Sequence, residues 1–372
     1  MKIGALKESV EKENRVALVP DSVERLTKAG HEVLIEKGAG TAAGFPDYAY
    51  SDAGAKASSA KEIAASADIF VHVQAPTSEQ IDNLKKGCVV VGTMNARTNP
   101  KLVASLASSE STALSMELVP RIARAQRMDV LSSQASIAGY KATLLAANSI
   151  GKYLPMMMTA AGTIPPAKVL VLGAGVAGLQ AIATARRLGA IVEAYDVRAA
   201  AGEQVESLGA TFIQPPSAED AEGAGGYARE QTQQEQATQR EFLTDHIAEA
   251  DAVITTAAIP GRAAPLLMTE EMVKAMRPGS VVIDLAAESG GNVAGTVAGE
   301  IVLKNGVAIN GPINVPSSMP FHASQLYSRN IMALLDLIID SKELTLNLNF
   351  EDEVIDTICV AHEGKVRHGL GE

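Results

Sequence analysis

Val169-Leu170-Val171-Leu172-Gly173-Ala174-Gly175-Val176-Ala177-Gly178 decides the fold of this chain. It is G-x-G-x-x-G directly after an apolar run, followed by a helical segment, Leu179 to Leu188, that Gly189 closes. The run Lys168 to Leu172 reads as a buried strand. Gly173 permits the tight turn, Gly175 lets the backbone approach a pyrophosphate, and Gly178 lets the helix pack close to the sheet. The first turn of the helix, with Val176 and Ala177, then offers free N–H groups and the positive end of its dipole to phosphate.

The next strand, Ile191 to Tyr195, ends at Asp196, 23 positions after Gly173. A carboxylate there accepts hydrogen bonds from the two ribose hydroxyls of an adenosine and repels a 2′-phosphate, which favours NAD(H) over NADP(H). Val197 belongs to the same strand end, and Arg198 two residues on blurs the charge argument. A lone glycine motif is weak, but strand, motif, helix, strand and terminal acid together specify a dinucleotide-binding Rossmann domain.

Further strands of that domain are expected at Ala252 to Thr256, Ser280 to Leu285 and Gly306 to Ile309. Ligands bind at the carboxyl edge of such a sheet. Thr256, Ala257 and Gly261 after one strand, Glu288 after the next and Asn314 after the last are therefore cofactor candidates, with ordinary turns as the alternative. Between Gln214 and Glu241 lie Gly223, Gly225, Gly226 and Tyr227, then a polar run; this predicts a mobile loop leading into an exposed helix.

Residues 1 to about 135 show a second βαβ rhythm. Strands are expected at Lys2 to Leu6, Glu32 to Glu36, Ile69 to Val73 and Val89 to Gly92, with a helix from Asp21 to Ala29 behind Pro20. No glycine-rich phosphate loop follows the first strand. After Pro320 one more helix, about His322 to Asp340, leads into alternating Leu344-Thr345-Leu346-Asn347-Leu348. The expected architecture is α/β: two Rossmann-like doubly wound domains with parallel sheets. The first spans 1–135 and, after a C-terminal return, 322–372, so it is discontinuous. The second spans 136–321.

A chain of 372 residues is long enough for two cores. A net charge of −11 argues against general nucleic-acid binding. Cys88 and Cys359 form no C-x-x-C pair and no disulfide framework, which suggests a reducing compartment. Charges interrupt the N-terminus at once, so no signal peptide is expected, and the longest apolar stretch near the C-terminus contains Asp336, so no direct membrane insertion is expected. No metal-ligand cluster is visible.

At the first domain boundary, Pro120-Arg121-Ile122-Ala123-Arg124-Ala125-Gln126-Arg127-Met128-Asp129-Val130-Leu131-Ser132-Ser133-Gln134 is dense in polar groups. Taken alone it is ambiguous, because Asp129 reads equally well as the N-cap of a following helix and Arg121 as a residue on a solvated face. The stretch resembles the Arg-Gln-Asp loop in the NAD(H)-binding subunit or domain of proton-translocating NAD(P)+ transhydrogenases. The resemblance covers nearly the whole chain, including Arg15-Val16-Ala17, Met116 to Arg121, Met156 to Thr163, Gly173 to Gln180, Asp196-Val197-Arg198 and Gly225 to Ala228.

That resemblance implies that Arg121, Asp129 and Ser132 hold the nicotinamide of NAD(H), that Gln126 reaches the NADP(H) of a partner, and that Tyr227 sits on a loop closing over the nucleotide. It implies a homodimer with a hairpin near Met156 to Pro166 at its interface. It also implies an NADP(H)-binding partner and a membrane-spanning subunit, both on separate polypeptides because this chain ends at Glu372, and a peripheral position at the cytoplasmic face. Hydride transfer between two nicotinamides needs positioning and no protein acid or base.

The rival of the same fold is alanine dehydrogenase, whose lysine and histidine move protons. At the matching places this chain has Gln74 and Asn95, neither able to do acid–base work near neutral pH. Arg15 remains and can equally be structural, and His72 reads as a strand residue. A rival of another class is a non-catalytic NAD-sensing module, which the missing acid–base pair fits and the dense polar loop does not.

Overall fold

The computed structural model describes residues 1–215, 232–258 and 261–367. The chain divides into two compact units: Met1–Gln134 with the residues from Pro316 on, and Ala135–Val315.

In the first unit the strands are β1 (Lys2–Ala5), β2 (Glu32–Glu36), β3 (Lys56–Ser58), β4 (Ile69–Val71), β5 (Val89–Gly92) and β6 (Thr112–Ser115). They alternate with helices α1 (Pro20–Lys28), α2 (Asp47–Asp52), α3 (Ala60–Ser66), α4 (Ser78–Asp82) and α5 (Pro100–Ser108). Helix α6 (Val130–Ser149) leads into the second unit, which opens with a hairpin of β7 (Met157–Thr159) and β8 (Gly162–Ile164). Its sheet is made by β9 (Lys168–Leu172), β10 (Ile191–Tyr195), β11 (Thr211–Phe212), β12 (Ala252–Thr255), β13 (Val281–Asp284), β14 (Ile301–Lys304) and β15 (Val307–Asn310). Its helices are α7 (Val176–Arg187), α8 (Ala201–Ser207), α9 (Gln233–Glu249) and α10 (Glu270–Ala275). The return to the first unit brings α11 (Pro320–Ile338), β16 (Ile339–Asp340), β17 (Thr345–Leu346), α12 (Glu353–Ile358), β18 (Cys359–His362) and β19 (Lys365–Val366).

The sheet orders are β19-β18-β6-β5-β4-β1-β2-β3 and β11-β10-β9-β12-β13-β15-β14. Both contain the doubly wound order, with the first strand in the middle and the chain turning back at the β1/β4 and β9/β12 junctions. The strands are buried on both faces, so their sequences alternate between two cores. Ile69 and Val71 face one apolar cluster and Phe70 the other. Val169 and Val171 face one cluster, Leu170 and Leu172 another. This is why they read as continuous apolar runs.

The expectation of wholly parallel sheets needs correction. β14 pairs antiparallel with β15, and β18 pairs antiparallel with both β6 and β19. In each case a short connection from a neighbouring segment reaches an edge, where an antiparallel strand needs no crossover helix. The returning tail packs as expected on the first unit: Tyr327, Ile331, Leu334, Leu335 and Ile338 of α11 are buried in its core, and Leu346, Leu348 and Phe350 lie against it. Fully burying one such side chain contributes roughly 1.5–3 kcal/mol, so α11 is a principal stabiliser of that core.

Candidate functional site

In the second unit, the turn after β9 places the fingerprint glycines for three different reasons. Gly173 has φ +100, and a Cβ there would stand 2.6 Å from Thr256 Oγ1. A Cβ on Gly178 would stand 1.8 Å from the Gly173 carbonyl oxygen, so the first turn of α7 lies directly against the loop. Gly175 is the N-cap of α7 and has no side-chain cap, and a Cβ on it would meet nothing within 4 Å. Open space thus stands in front of helix N–H groups that have no intrahelical partner, beside the exposed Val176, a ready anion site. Ala177 completes the turn; its carbonyl lies against Gly139 of α6, where a Cβ would be 2.0 Å away.

Asp196 follows β10 and is 6% exposed. Its Oδ2 accepts from Ala174 N at 2.7 Å and from Arg198 Nη2 at 2.8 Å. Its Oδ1 accepts from Arg198 N at 2.9 Å and from Arg198 Nε at 2.8 Å. Burial pushes the carboxyl up, but the Arg198 guanidinium and the two backbone N–H groups more than offset it and hold it below the ordinary carboxylate range. Val197 beside it is half-buried against the core.

The other strand ends line the same carboxyl edge. Thr256 follows β12 and its Oγ1 donates to the Gly173 carbonyl at 3.0 Å, which ties the fingerprint turn to the neighbouring strand. Ala257 N donates to Asn292 Oδ1 at 3.1 Å, and Asn292 Nδ2 donates to the carbonyls of Ala257 and Pro265. Gly261 has φ +74, and the two residues before it lie outside the described residues. Glu288 Oε2 accepts from Asn314 N at 3.1 Å, joining the ends of β13 and β15. Asn314 itself has φ +43.

Two residues here escape a reading of the sequence. Asn292 is 0% exposed and braces the turn after β12. Asp284, equally buried, accepts from Thr255 Oγ1, Ala286 N, Asn292 N, Val293 N and Thr296 Oγ1, and so folds the whole segment that carries Glu288. An acid at the end of an apolar strand is the available signal for Asp284. Tyr227 and Gly223, Gly225 and Gly226 lie outside the described residues.

In the first unit, Arg121 is exposed ahead of a 3₁₀ turn, Ala123–Met128, that carries the exposed Gln126. Asp129 closes this turn and caps α6: Oδ1 accepts from Ser132 N at 2.9 Å and Oδ2 from Ser132 Oγ at 2.6 Å. Asp129 and Ser132 are thus brought together, and the N-cap alternative describes how. The loop is pinned from two sides by the returning tail. Asn330 of α11 donates to the Arg127 carbonyl at 2.8 Å and accepts from Ser133 Oγ at 2.7 Å. Asp352, the N-cap of α12, receives both Arg124 nitrogens at 2.8 and 2.9 Å. Nothing local in the sequence announces Asn330 or Asp352, because each acts across about two hundred positions of chain.

The carboxyl edge of the first sheet carries a separate polar cluster. Arg15 forks onto Glu13, with Nε to Oε1 at 2.8 Å and Nη2 to Oε2 at 2.7 Å, and Arg15 Nη1 donates to Gln134. Gln74 Nε2 donates to Glu13 Oε2 at 2.8 Å. Glu8 accepts from Val73 N and Gln74 N, and burial pushes its carboxyl up to about 7 against those two bonds. His72 is 4% exposed, and burial lowers it to about 4, with the nearby Gln74 backbone opposing. Asn95 is exposed with φ +51. Gln74 is therefore spent on an internal carboxylate, and no side chain at these two places exchanges protons near neutral pH. No cluster that could hold a metal ion is found among the described residues.

The duplicated doubly wound sheet and the intact fingerprint define the class: a two-unit dinucleotide-binding protein. The chain belongs to the alanine dehydrogenase/PNT family. The model for the N-terminal domain of that family matches residues 4–138 and the model for its C-terminal domain residues 142–369. The chain is 47% identical over 376 aligned residues to the first of the polypeptides that make up NAD(P) transhydrogenase subunit alpha in Rhodospirillum rubrum, covering 99% of this chain and 98% of the relative. It is 31% identical over 332 residues to alanine dehydrogenase of Bacillus subtilis, covering 86% and 81%. The crystal structure of transhydrogenase from Sinorhizobium meliloti superposes with a TM-score of 0.87 at 43% identity, covering 99% of both chains.

Proteins of this family bind NAD(H), the nucleotide expected from Asp196. The residues present fit it, since the space before Gly175 and the uncapped start of α7 are what a pyrophosphate requires. No helix among the described residues is long and apolar enough to cross a membrane.

Proposed function

We propose that this chain is the NAD(H)-binding subunit of a proton-translocating transhydrogenase. In that reading Gly173, Gly175 and Gly178 with the start of α7 hold the pyrophosphate, and Asp196 receives the adenosine ribose. Thr256, Ala257, Gly261, Glu288 and Asn314 line the rest of the nucleotide site, and Tyr227 closes over it. Arg121, Asp129 and Ser132 hold the nicotinamide. Gln126 meets the NADP(H) carried by a partner. Bound NADH supplies the hydride, and NADP+ on the partner accepts it.

The observation that carries this over an alanine dehydrogenase is the state of Gln74 and Asn95. Proton transfer by a positioned side chain contributes roughly 10²–10⁴-fold, and amino-acid oxidation needs it. Here Gln74 is bonded to Glu13 and Asn95 is a neutral amide. Transfer between two nicotinamides moves a hydride and no proton, so a site with amides in those places is suited to it. The higher identity to the transhydrogenase subunit than to alanine dehydrogenase supports the same reading.

The Asp129–Ser132 pair, fixed at the head of α6, supplies a hydroxyl and a carboxylate for a carboxamide, and the pinned loop costs little entropy to organise. The partner that binds NADP(H), a membrane-spanning subunit, coupling to proton movement, a homodimer, with the hairpin of β7 and β8 at its interface, and a peripheral place at the cytoplasmic face complete the proposal. Mixing the chain with a purified NADP(H)-binding transhydrogenase domain tests it by stopped-flow fluorescence. Fast nucleotide-to-nucleotide transfer, absent without either protein, supports the reading, and transfer no faster than in buffer overturns it.

A further inference from the structure

We propose that Arg198 is a built-in competitor of the adenosine ribose for Asp196 and thereby sets how strongly the site prefers NADH over NADPH. The inference rests on the nucleotide site proposed above and adds a role for one residue in it.

A carboxylate offers about four lone-pair positions to donors. On Asp196 all four are taken: Ala174 N at 2.7 Å and Arg198 N at 2.9 Å from the backbone, and Arg198 Nε and Nη2, each at 2.8 Å, from one side chain. The backbone donors are fixed by the fingerprint turn and by the chain leaving β10, and cannot move aside without unmaking the turn. The guanidinium can. Its side chain is 20% exposed while that of Asp196 is 7% exposed, so solvent reaches the arginine and the carboxylate lies behind it. Ribose hydroxyls can therefore bond Asp196 only by exchanging places with the Arg198 fork.

Two consequences follow from that exchange. Binding of NADH is weakened by the fraction of time the fork stays on the carboxylate, in the way any internal competitor lowers apparent affinity. The released guanidinium also remains tethered two residues from Asp196, where a 2′-phosphate would stand. With NADH it meets a neutral hydroxyl. With NADPH it meets a phosphate, which it binds in a fork. Arg198 thus taxes the nucleotide that Asp196 selects and helps the one that Asp196 repels.

Fluorescence titration with NADH and with NADPH tests this on the unmutated chain, Arg198→Ala and Arg198→Lys, with circular dichroism and a thermal melt as fold controls. Arg198→Ala should bind NADH about two- to fivefold tighter, the range set by a partly exposed ion pair, and NADPH at least about tenfold more weakly, the scale of a lost charge-assisted pair. Arg198→Lys keeps the charge without the fork and should fall between. If Arg198→Ala does not fold, the same two signs in Arg198→Lys decide. Weaker NADH binding, or NADPH binding unchanged, overturns the proposal while leaving the nucleotide site standing. No binding of NADH by the unmutated chain overturns both.

Discussion

Gly175→Ala and Gly178→Ala add the same methyl group three residues apart and should fail in opposite ways. At Gly178 the new Cβ would lie 1.8 Å from the Gly173 carbonyl oxygen and 3.3 Å from Thr256 Oγ1, so α7 must withdraw from the turn. Overpacking by one methyl group costs about 1–3 kcal/mol, and a contact this short belongs at the upper end. Alanine regains about 1 kcal/mol of helix propensity, which leaves about 2 kcal/mol of destabilisation. For a unit of this size each kcal/mol shifts the melting temperature by about 2–4 °C, so a fall of about 4–8 °C is expected. At Gly175 φ is −76 and nothing lies within 4 Å, so Ala is sterically free there. Replacing a Gly N-cap by Ala costs well under about 2 kcal/mol. The methyl group instead fills the space a pyrophosphate needs, and NADH affinity should fall at least about tenfold, which is ~1.4 kcal/mol. A thermal melt and an NADH fluorescence titration on both variants decide the matter. Full NADH affinity in Gly175→Ala would refute the assignment of that space, and an unchanged melting temperature in Gly178→Ala would refute the packing argument.

Three further outcomes are expected. Asp196→Ala should narrow the preference for NADH over NADPH by about tenfold, since a hydrogen bond to a charged group contributes roughly 1.5–3 kcal/mol; an unchanged ratio of dissociation constants counts against the ribose role. Pure protein should oxidise alanine or reduce pyruvate at background rate because Gln74 and Asn95 carry no exchangeable charge, and robust NAD-dependent turnover of alanine contradicts the proposed function. His72 is held neutral by burial, its value lowered from 6.5 to about 4. The unfolded chain takes up that proton first, so stability is lost as pH falls from 6.5 towards 4, by about 3 kcal/mol in all. Urea unfolding of the chain and of His72→Phe should show the difference between them shifting by about that amount across this window, and a pH-independent difference rules out the buried neutral ring.

The strands of the second unit are legible in the sequence because each is buried on both faces and bounded by turn residues. Lys168–Leu172 and Ile191–Tyr195 end where the apolar runs end. β3 is not legible, because Lys56-Ala57-Ser58 is a short, mostly exposed edge strand with no hydrophobic pattern. The antiparallel partner of β6 is hidden for a different reason: Cys359–His362 reaches that edge only through the tertiary return of the tail. Within the candidate site, the fingerprint glycines announce themselves because backbone geometry constrains sequence. The Arg121 to Ser132 segment shows polar density only, and its N-cap is one of two readings, because a side chain that caps a helix and one that holds a ligand are the same residue types. The braces that fix these segments, Asn292, Asn330 and Asp352, are invisible because their partners are distant in sequence. The lock of Arg198 on Asp196 needs the coordinates, since two adjacent charges do not declare which lone pairs they fill.

The direct passage of hydride from this chain's nucleotide to a partner's is the central claim, and isotope tracing tests it most directly. NADH deuterated at the transferring position of C4 is mixed with the chain and an NADP+-loaded NADP(H)-binding domain, and the NADPH formed is analysed by mass spectrometry. The account predicts full retention of deuterium in the NADPH, together with a sharp slowing in Gln126→Asn that leaves NADH binding almost unchanged. Deuterium lost to solvent, or a Gln126→Asn chain that transfers at the unmutated rate but no longer binds NADH, would contradict it.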